Sequence, residues 1–230
     1  RRGEILGVFG LIGSGRTEVM RCIFGADHLD NGTIRVLGEE VKIRRVKDAL
    51  NHSIGLVPED RRGQGLALGL SVTHNVNMAD YSTVSRAGLV SRKREKQRSE
   101  KYIQSLNIKA YSGRQVVRNL SGGNQQKVVF SKVLCKKSQV LILDEPTVGV
   151  DVGAKSEMYQ LMNTLTGQGH GIIFVTSYLP ELLGLSDRII VFYEGGISGG
   201  FSRKELADMS TREAEEAVLS LASNLKGVKV

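Results

Sequence analysis

Five short apolar runs separated by helical patterns constrain the fold of this chain most strongly. The runs are EILGVFG, HSIGLVP, QVLILDE, GIIFVTS and RIIVFYE. A strand that is apolar at nearly every position is covered on both faces, which is typical of a parallel sheet with helices on either side. The sequence therefore predicts an α/β fold built on a mostly parallel sheet.

Three further segments predict additions to that sheet. The segment LDNGTIRVLGEEV is typical of a β-hairpin, in which Asn31 and Gly32 would form the turn. Helical periodicity dominates from Leu66 to Val117, which we interpret as an insertion, and the segment from Ser202 onward is also expected to be helical. The predicted division is an α/β core of residues 1–65 and 136–230 and a helical subdomain of residues 66–135.

The composition places few limits on function. The chain has 230 residues, 24% of them charged, and a net charge of +8. It has no apolar run as long as a membrane span and no signal-peptide pattern. Cys22 and Cys135 lack the spacing of a zinc site or a disulfide framework, and we expect buried, reduced thiols in the cytosol. Because the first apolar run begins almost at once, we interpret the chain as one domain of a longer protein.

A glycine-rich loop follows the first apolar run. Residues 10–17, GLIGSGRT, fit the phosphate-loop pattern G-x-x-x-x-G-K-[ST] at every defined position except the lysine. In such a strand–loop–helix unit, backbone N–H groups surround the phosphates and the positive end of the helix adds to the attraction. Thr17 would offer its hydroxyl to Mg²⁺. The expected nucleotide-binding residues in this loop are Gly10, Gly13, Ser14, Gly15, Arg16 and Thr17.

Arg16 stands in place of the lysine of that pattern. Both side chains are cationic, but lysine is a compact ammonium whereas arginine is a planar fork. We expect that the fork does not lie along the β- and γ-phosphates as lysine would, so that nucleotide still binds but hydrolysis at this loop is slow. The alternative is that the Arg16 side chain points into solvent.

Two carboxylates close the buried run QVLIL. In a parallel sheet, ligands gather at the carboxyl ends of the strands. Asp144 is therefore placed to hold Mg²⁺ through water, and Glu145 is placed to orient or deprotonate an attacking water. Such a pair is commonplace by itself, and its occurrence together with the glycine-rich loop is what makes it informative.

A second anion-binding helix start is predicted in the segment NLSGGNQQKVVFSKVL. Ser121 is typical of a residue that caps a helix N-terminus, and Gly122 and Gly123 leave backbone N–H groups uncovered beside it. Together with the glycine-rich loop and LILDEPT, the string LSGGNQQ resembles the ATP-binding cassette (ABC) family, and the resemblance extends over nearly the whole chain. The implied core is of the P-loop NTPase type, with a small antiparallel β portion and an inserted helical subdomain.

The resemblance implies roles for residues outside these motifs. ABC domains pair head to tail, and each ATP lies between the phosphate loop of one domain and the LSGGQ-type helix of the other. The segment VGVD, ending at Asp151, matches the loop that contacts the partner domain. Glu59 occupies the position of a glutamine that senses the γ-phosphate and the membrane partner, and Ser177 that of a histidine that contacts the γ-phosphate. His170 precedes the strand GIIFVTS, so we expect it at the opposite end of the sheet and not in place of that histidine.

The set of motifs is narrower than the family as a whole. PEDRRGQGL, LSGGNQQK and DEPTVGVDVGAK resemble the second, C-terminal cassette of bacterial monosaccharide importers of the ribose, galactose and xylose type. The resemblance implies ATP and Mg²⁺ as ligands, and a first cassette and transmembrane permease subunits as partners. It also implies indirect action with a sugar-binding protein, and a peripheral position on the cytoplasmic face of the inner membrane. The chain's own ATP site would be poorly catalytic, while its LSGGNQQ helix would complete a competent site on the first cassette.

Three other functions stay open on the sequence. The net charge and the basic run of residues 92–98 are compatible with a soluble ABC ATPase that acts on DNA or the ribosome. We favour a solvated helix face instead, with Tyr102, Ile103 and Leu106 on its apolar side, and expect no nucleic-acid partner because no aromatic residues interleave the run. A non-hydrolysing nucleotide sensor is the second alternative, since two of the replaced groups act on the γ-phosphate. An importer for a nucleoside or a signalling sugar is the third.

Overall fold

The computed structural model describes residues 1–223, and a six-stranded sheet forms its centre. The described strands are β1 (Ile5–Gly10), β2 (Ile34–Val36), β3 (Glu39–Val41), β4 (Ile54–Val57), β5 (Ser85–Arg86), β6 (Leu89–Val90), β7 (Val140–Asp144), β8 (Gly171–Val175), β9 (Arg188–Tyr193) and β10 (Gly196–Ser202). The central sheet has the order β10-β9-β1-β8-β7-β4, while β2 pairs with β3 and β5 with β6 in two small hairpins.

Helices cover the central sheet. None of those within residues 1–223 combines the length and apolar character that a membrane crossing requires. They are α1 (Arg16–Phe24), α2 (Val46–Asn51), α3 (Val72–Asn77), α4 (Arg92–Ser105), α5 (Gly122–Cys135), α6 (Val152–Gly167), α7 (Leu179–Leu185), α8 (Arg203–Ala207) and α9 (Thr211–Ala222).

The mostly parallel sheet predicted from the five apolar runs is confirmed. Each run forms a strand of the central sheet, in which β1 lies between β8 and β9 and all three are parallel. β7 pairs in parallel with both β8 and β4, and only β10 runs antiparallel to its neighbour. The carboxyl ends of β1, β7 and β8 therefore meet at one edge of the sheet, next to the segments that follow them.

Apolar clusters on the two faces explain why the strands lack polar positions. Phe130 of α5, Met158 of α6 and Phe174 of β8 are fully buried in the cluster on one face. On the other face, Met20 of α1 packs with Ile142 of β7. Burying each such side chain contributes about 1.5–3 kcal/mol relative to leaving it exposed, so both layers hold the edge of the sheet in place.

The predicted hairpin is present, but its turn was placed wrongly. The structure pairs Val36 with Glu39, so Leu37 and Gly38 form the two-residue turn. Both have positive φ, 54° and 91°, as a type I′ turn requires. Asn31 and Gly32 precede β2 instead. The β-branched residues do form the two strands, as predicted. The Asn-Gly pair was misleading because it lies in the segment before the first strand and not in the turn.

The insertion expected from Leu66 onward contains α3, α4 and the small hairpin β5–β6. Most of its basic run is exposed, as expected for a solvated helix face. Arg98 is the exception, because its side chain is only 15% exposed and lies 3.6 Å from the Asp80 carboxylate. Arg98 also donates to Asn77 Oδ1 at 2.7 Å. Tyr102 and Ile103 pack on the core as expected. The boundaries of the core (1–65 and 136–230) and of the helical subdomain (66–135) stay a prediction.

The remaining local predictions have mixed outcomes. Cys135 is buried, and burial raises the pKa of its thiol to about 11. Cys22 is only half-buried, and its Sγ donates to the His28 carbonyl, so the expectation of two buried thiols was wrong for this residue. The helix expected after Ser202 is present as α8 and α9, and the last part of that expectation, residues 224–230, lies outside the described residues.

Candidate active site

The glycine-rich loop connects the end of β1 to the start of α1. Ser14 donates its N–H to the Leu11 carbonyl at 3.0 Å, which closes the loop. Gly15 precedes the helix with φ of 91°, a conformation that a side chain would strain, and no side chain caps the first turn. The Ser14 hydroxyl is buried and has no partner among the described residues. The loop therefore presents uncovered amide groups and one unsatisfied hydroxyl at a helix N-terminus, the arrangement that binds phosphate.

Thr17 and Asp144 meet below that loop. Their side chains share a hydrogen bond that lowers the pKa of Asp144, although burial has the larger effect and raises it. Asp144 is 2% exposed, and its Oδ1 has no partner among the described residues. A hydroxyl and an unsatisfied carboxylate oxygen are hard oxygen donors of the kind that Mg²⁺ prefers. The residues present therefore fit a magnesium ion shared with a bound phosphate.

Arg16 points inward. Its side chain is 10% exposed, and Nη1 donates to the Thr176 carbonyl at 3.2 Å. The same Nη1 lies 3.8 Å from Oε1 of Glu145. The alternative of a solvent-facing Arg16 is therefore wrong. The guanidinium is directed at the ends of β7 and β8, and Arg16 contacts the carboxylate that the sequence places beside the attacking water.

Glu145 is held at that edge by its backbone and by its neighbours. Its N–H donates to the Val175 carbonyl at 2.9 Å, and its φ is 44°, which is uncommon outside glycine. Burial raises the pKa of the Glu145 carboxyl, while hydrogen bonds from Ser177 and the nearby charge of Arg16 lower it. Ser177 thus interacts with the carboxylate at this edge, and exposed Glu59 also acts there by raising the pKa of Asp144 through charge repulsion.

The LSGGNQQ segment begins α5. Ser121 holds the N-cap position, as predicted, but its hydroxyl does not cap the helix. Instead, Ser121 Oγ accepts from Asn124 Nδ2 at 2.8 Å, while Asn124 Oδ1 accepts from the Lys109 N–H at 2.7 Å. Since a backbone N–H can only donate, the contact with Lys109 fixes the orientation of the amide. The Ser121 hydroxyl therefore keeps its own hydrogen for another acceptor, beside the uncovered N–H groups of Gly122 and Gly123.

Asp151 joins this second group of residues. Its carboxylate caps α6 by accepting from the Ala154 N–H at 2.9 Å. A cavity of about 230 Å³ is lined by Ser121, Gly123 and Asp151 and, within the described residues, by none of residues 10–17. The predicted residues thus form two groups, one at the sheet edge around the glycine-rich loop and one at the start of α5. His170 lies before β8, at the other end of that strand, as expected.

Sequence reasoning missed a buried carboxylate behind the sheet edge. Glu181 of α7 is 5% exposed and accepts from Thr147 Oγ1 at 2.7 Å and from Lys155 Nζ at 2.9 Å. These contacts join the segment after Glu145 to α6 and α7. Asn124 was missed as well. The available signal was the position of Glu181 four residues after Ser177 and of Asn124 inside LSGGNQQ, segments that we had interpreted through other residues.

The fold and these two groups define a nucleotide-binding α/β protein of the P-loop type. The chain belongs to the ABC transporter family, whose model matches residues 1–148. It is 46% identical over 223 residues to "Ribose import ATP-binding protein RbsA" of Bacillus cereus, covering 97% of this chain and 44% of that protein. It is 47% identical over 224 residues to the protein of that name from Bacillus subtilis, again covering 97% and 44%. The chain thus spans less than half the length of these curated relatives.

Solved structures agree on the fold. A nucleotide-free ATP-binding cassette from an ABC transporter superimposes with a TM-score of 0.80 at 17% identity, covering 98% of this chain and 88% of that one. The structure of cbiO1 from Clostridium perfringens, part of the ABC transporter complex cbiONQ, gives 0.75 at 22% identity, covering 99% and 89%. At these identities the similarity concerns the fold.

Proposed function

We propose that this chain is the ATP-binding domain of a bacterial importer for ribose or a related monosaccharide, in the position of the second cassette. The observation that carries the proposal is the inward contact of Arg16 with Glu145, together with the uncovered start of α5. The start of α1 is thus altered at the residue where catalysis would occur, whereas the start of α5 keeps its uncovered donors. The similarity to two ribose import ATP-binding proteins supports the substrate class.

At the chain's own site, residues 10–17 bind the triphosphate through their amide groups, with Ser14 Oγ as an additional contact. Thr17 and Asp144 would hold Mg²⁺, which when bound would neutralise charge on the phosphates. Glu145 orients the attacking water and accepts its proton as the bond between the γ-phosphorus and the β-phosphate oxygen breaks. The products are ADP and inorganic phosphate.

Three replacements make this site slow. Arg16 directs its charge to Glu145 and Thr176, so less of it reaches the phosphates. Ser177 donates to Glu145, whereas a histidine at that position would extend toward the γ-phosphate. Glu59 adds a negative charge near Asp144. All three changes act on the same carboxylate edge and reduce the electrostatic stabilisation of the transferring phosphate.

The start of α5 serves the nucleotide held by the first cassette. The Ser121 hydroxyl and the N–H groups of Gly122 and Gly123 provide donors without a covering side chain. Asp151 lines the same cavity and would face the partner cassette. The second composite site is therefore the competent one, and hydrolysis there would power transport.

The proposed partners follow from this arrangement. They are a first cassette paired head to tail, transmembrane permease subunits and, indirectly, a sugar-binding protein, with the domain at the cytoplasmic face of the inner membrane. A nucleic-acid partner is disfavoured because no aromatic residues interleave the basic run of residues 92–98. Arg98 of that run also contacts Asp80 and Asn77 inside the fold.

A comparison of Ser121→Ala and Arg16→Ala in the intact importer tests the proposal. We expect Ser121→Ala to lower ATP turnover by about tenfold or more, consistent with losing one transition-state donor, and Arg16→Ala to change it little. Exposed Ser112→Ala is the matched control for the serine. Equal losses from both variants would mean two equivalent sites and would contradict the proposal. If the parent releases phosphate no faster than the uncatalysed background, the nucleotide sensor would be favoured instead.

A further inference from the structure

The segment that follows Glu59 is fixed by its own backbone. Arg61–Gly65 form a single π-helical turn, and the Asp60 carboxylate accepts from the N–H groups of Arg62 at 3.2 Å and Gly63 at 2.9 Å. The Arg61 N–H donates to the Glu59 carbonyl at 3.0 Å. Glu59 and Arg61 are therefore held in one small rigid unit at the carboxyl end of β4.

The Arg61 side chain crosses to a distant part of the chain. Nη1 donates to the Val148 carbonyl at 2.6 Å, and Nη2 donates to the Gly149 carbonyl at 3.0 Å. Val148 in turn donates its N–H to the Glu145 carbonyl at 3.2 Å. Arg61 thus contacts the short segment that connects Glu145 to Asp151, and it holds two successive carbonyls with one planar group.

The same guanidinium lies against the start of α5. A Cβ added to Gly122 would lie 2.9 Å from Arg61 Nη2 and 2.7 Å from the Gly149 carbonyl oxygen. No side chain fits in that space. Three segments that are far apart in sequence therefore meet around Arg61: the unit with Glu59, the segment before Asp151, and the LSGGNQQ helix start.

The position is unfavourable for an isolated charge. Burial lowers the pKa of Arg61, and nearby Arg62 lowers it further. Arg61 Nε is buried without a partner among the described residues. No carboxylate within residues 1–223 pairs with this cation, so the two carbonyl contacts are what offset its desolvation.

We propose that Arg61 is a positioning residue that couples the two nucleotide sites of the cassette pair. This inference rests on the proposed function, because it assigns Glu59 to the chain's own nucleotide and Ser121, Gly122 and Asp151 to the nucleotide of the first cassette. A shift of the Glu59 unit on nucleotide binding moves Arg61, and Arg61 moves the two carbonyls and the helix start that it contacts. Occupancy of the slow site is thereby transmitted to the competent one.

Amide hydrogen exchange with and without Mg-ATP tests this coupling in this chain by itself, where no first cassette holds a nucleotide against residues 119–124. In the parent chain, we expect nucleotide to slow exchange in residues 10–17 and also in residues 119–124 and 147–151. In Arg61→Met the first response persists, while the nucleotide-induced slowing of the two remote segments falls by about tenfold, as expected for losing hydrogen bonds from a charged donor. Arg61→Lys keeps the charge and should restore part of the remote response.

Arg62→Met is the matched control, because Arg62 is an exposed neighbour with the same charge. It should leave all three responses unchanged. Remote slowing that persists in Arg61→Met, or that is lost equally in Arg62→Met, would overturn the proposal. If Arg61→Met does not fold, Arg61→Lys decides. Nucleotide-induced slowing of residues 119–124 and 147–151 that is as large in Arg61→Lys as in the parent would contradict the proposal, because lysine lacks the planar group that holds both carbonyls. An absence of any slowing in residues 10–17 of the parent would overturn the proposed function itself, and the coupling with it.

Discussion

The Arg16 guanidinium lies 3.8 Å from the Glu145 carboxylate, and both side chains are 10% exposed. A cation at the start of α1 is thus paired with the carboxylate at the end of β7. In water such a pair contributes little, but exclusion from solvent strengthens it. The contact lowers the basicity of Glu145 and draws positive charge away from the loop, and we expect both effects to oppose hydrolysis at this site.

Replacing Arg16 with lysine should relieve this effect. The lysine side chain is shorter than that of arginine, so its ammonium does not reach the Thr176 carbonyl and can lie along the phosphates instead. We expect single-turnover phosphate release at this site to rise by about tenfold, which corresponds to about 1.4 kcal/mol of transition-state stabilisation. Exposed Arg35→Lys is the control. A variant with unchanged ATP affinity and unchanged turnover would show that Arg16 is not what limits this site.

Removing the Ser177 hydroxyl should change the pH dependence of hydrolysis. The Ser177 hydrogen bonds favour the charged form of Glu145 and lower a pKa that burial raises. In Ser177→Ala the pKa of Glu145 rises further, so a larger fraction is protonated at a given acidic pH and cannot accept the proton from water. The acidic limb of the pH–rate profile should therefore move to higher pH.

The measurement is the rate of single-turnover phosphate release at this chain's own site as a function of pH for Ser177→Ala, with Ser112→Ala as the control. A limb that stays in place would mean that Glu145 is not the group whose ionisation limits the rate. A limb that moves to lower pH would mean that the Ser177 contacts favour the neutral carboxyl.

The strands and their functional edge were predictable from the sequence. Burial on both faces makes parallel strands apolar throughout, so the five runs identify them without knowledge of the partners. Once the strands are parallel, the loop after β1 and the pair Asp144 and Glu145 must share an edge. The string LSGGNQQ identified the second helix start in the same way, because uncovered amide groups depend on local sequence.

The directions of individual side chains were not predictable. Arg16 reaches the Thr176 carbonyl, which is 160 residues away in sequence, and no local pattern encodes that contact. Ser121 has the residue type of a helix cap, yet Asn124 occupies its hydroxyl. The turn at Leu37 and Gly38 was missed because leucine is not a turn residue, although the pairing of β2 with β3 imposes positive φ on it.

Asp144→Asn should stabilise the nucleotide-free protein at neutral pH. Burial raises the pKa of Asp144, so the charged form is disfavoured in the folded state and the free energy of unfolding of the parent rises as pH falls through that pKa. Asparagine removes the charge and keeps an acceptor for Thr17. A gain of about 1 kcal/mol corresponds to about 2–4 °C in Tm for a domain of this size.

The gain should be largest at neutral pH and should vanish as pH falls through the raised pKa, where the parent is already protonated. Exposed Asp30→Asn is the control. Thermal unfolding that shows a lower Tm for Asp144→Asn at neutral pH would mean that the carboxylate is stabilised in the empty site. The variant should also lose the additional stabilisation by Mg²⁺ with ATP, since one oxygen ligand has lost its charge.

The contact between Asn124 and Ser121 gives the most specific prediction for the composite site that we propose to be competent. Asn124 Nδ2 donates to Ser121 Oγ, so the serine hydrogen stays available for a phosphate oxygen. Aspartate at position 124 would still accept from the Lys109 N–H but would also accept from Ser121, which reverses the direction of that hydrogen bond. In the intact importer we expect Asn124→Asp to lower ATP turnover by about tenfold or more, as for the loss of one donor to the transition state.

The charge of aspartate would by itself repel a nucleotide, so the uncharged Asn124→Ala separates the two causes. If Asn124 acts by orienting Ser121, then Asn124→Ala should lower turnover in the parent and have almost no further effect in a Ser121→Ala background, because the two changes remove the same donor. Exposed Asn163→Ala should be silent in both backgrounds. Additive losses in the double variant would show that Asn124 acts independently of Ser121, through its support of the Lys109 backbone or through a contact of its own.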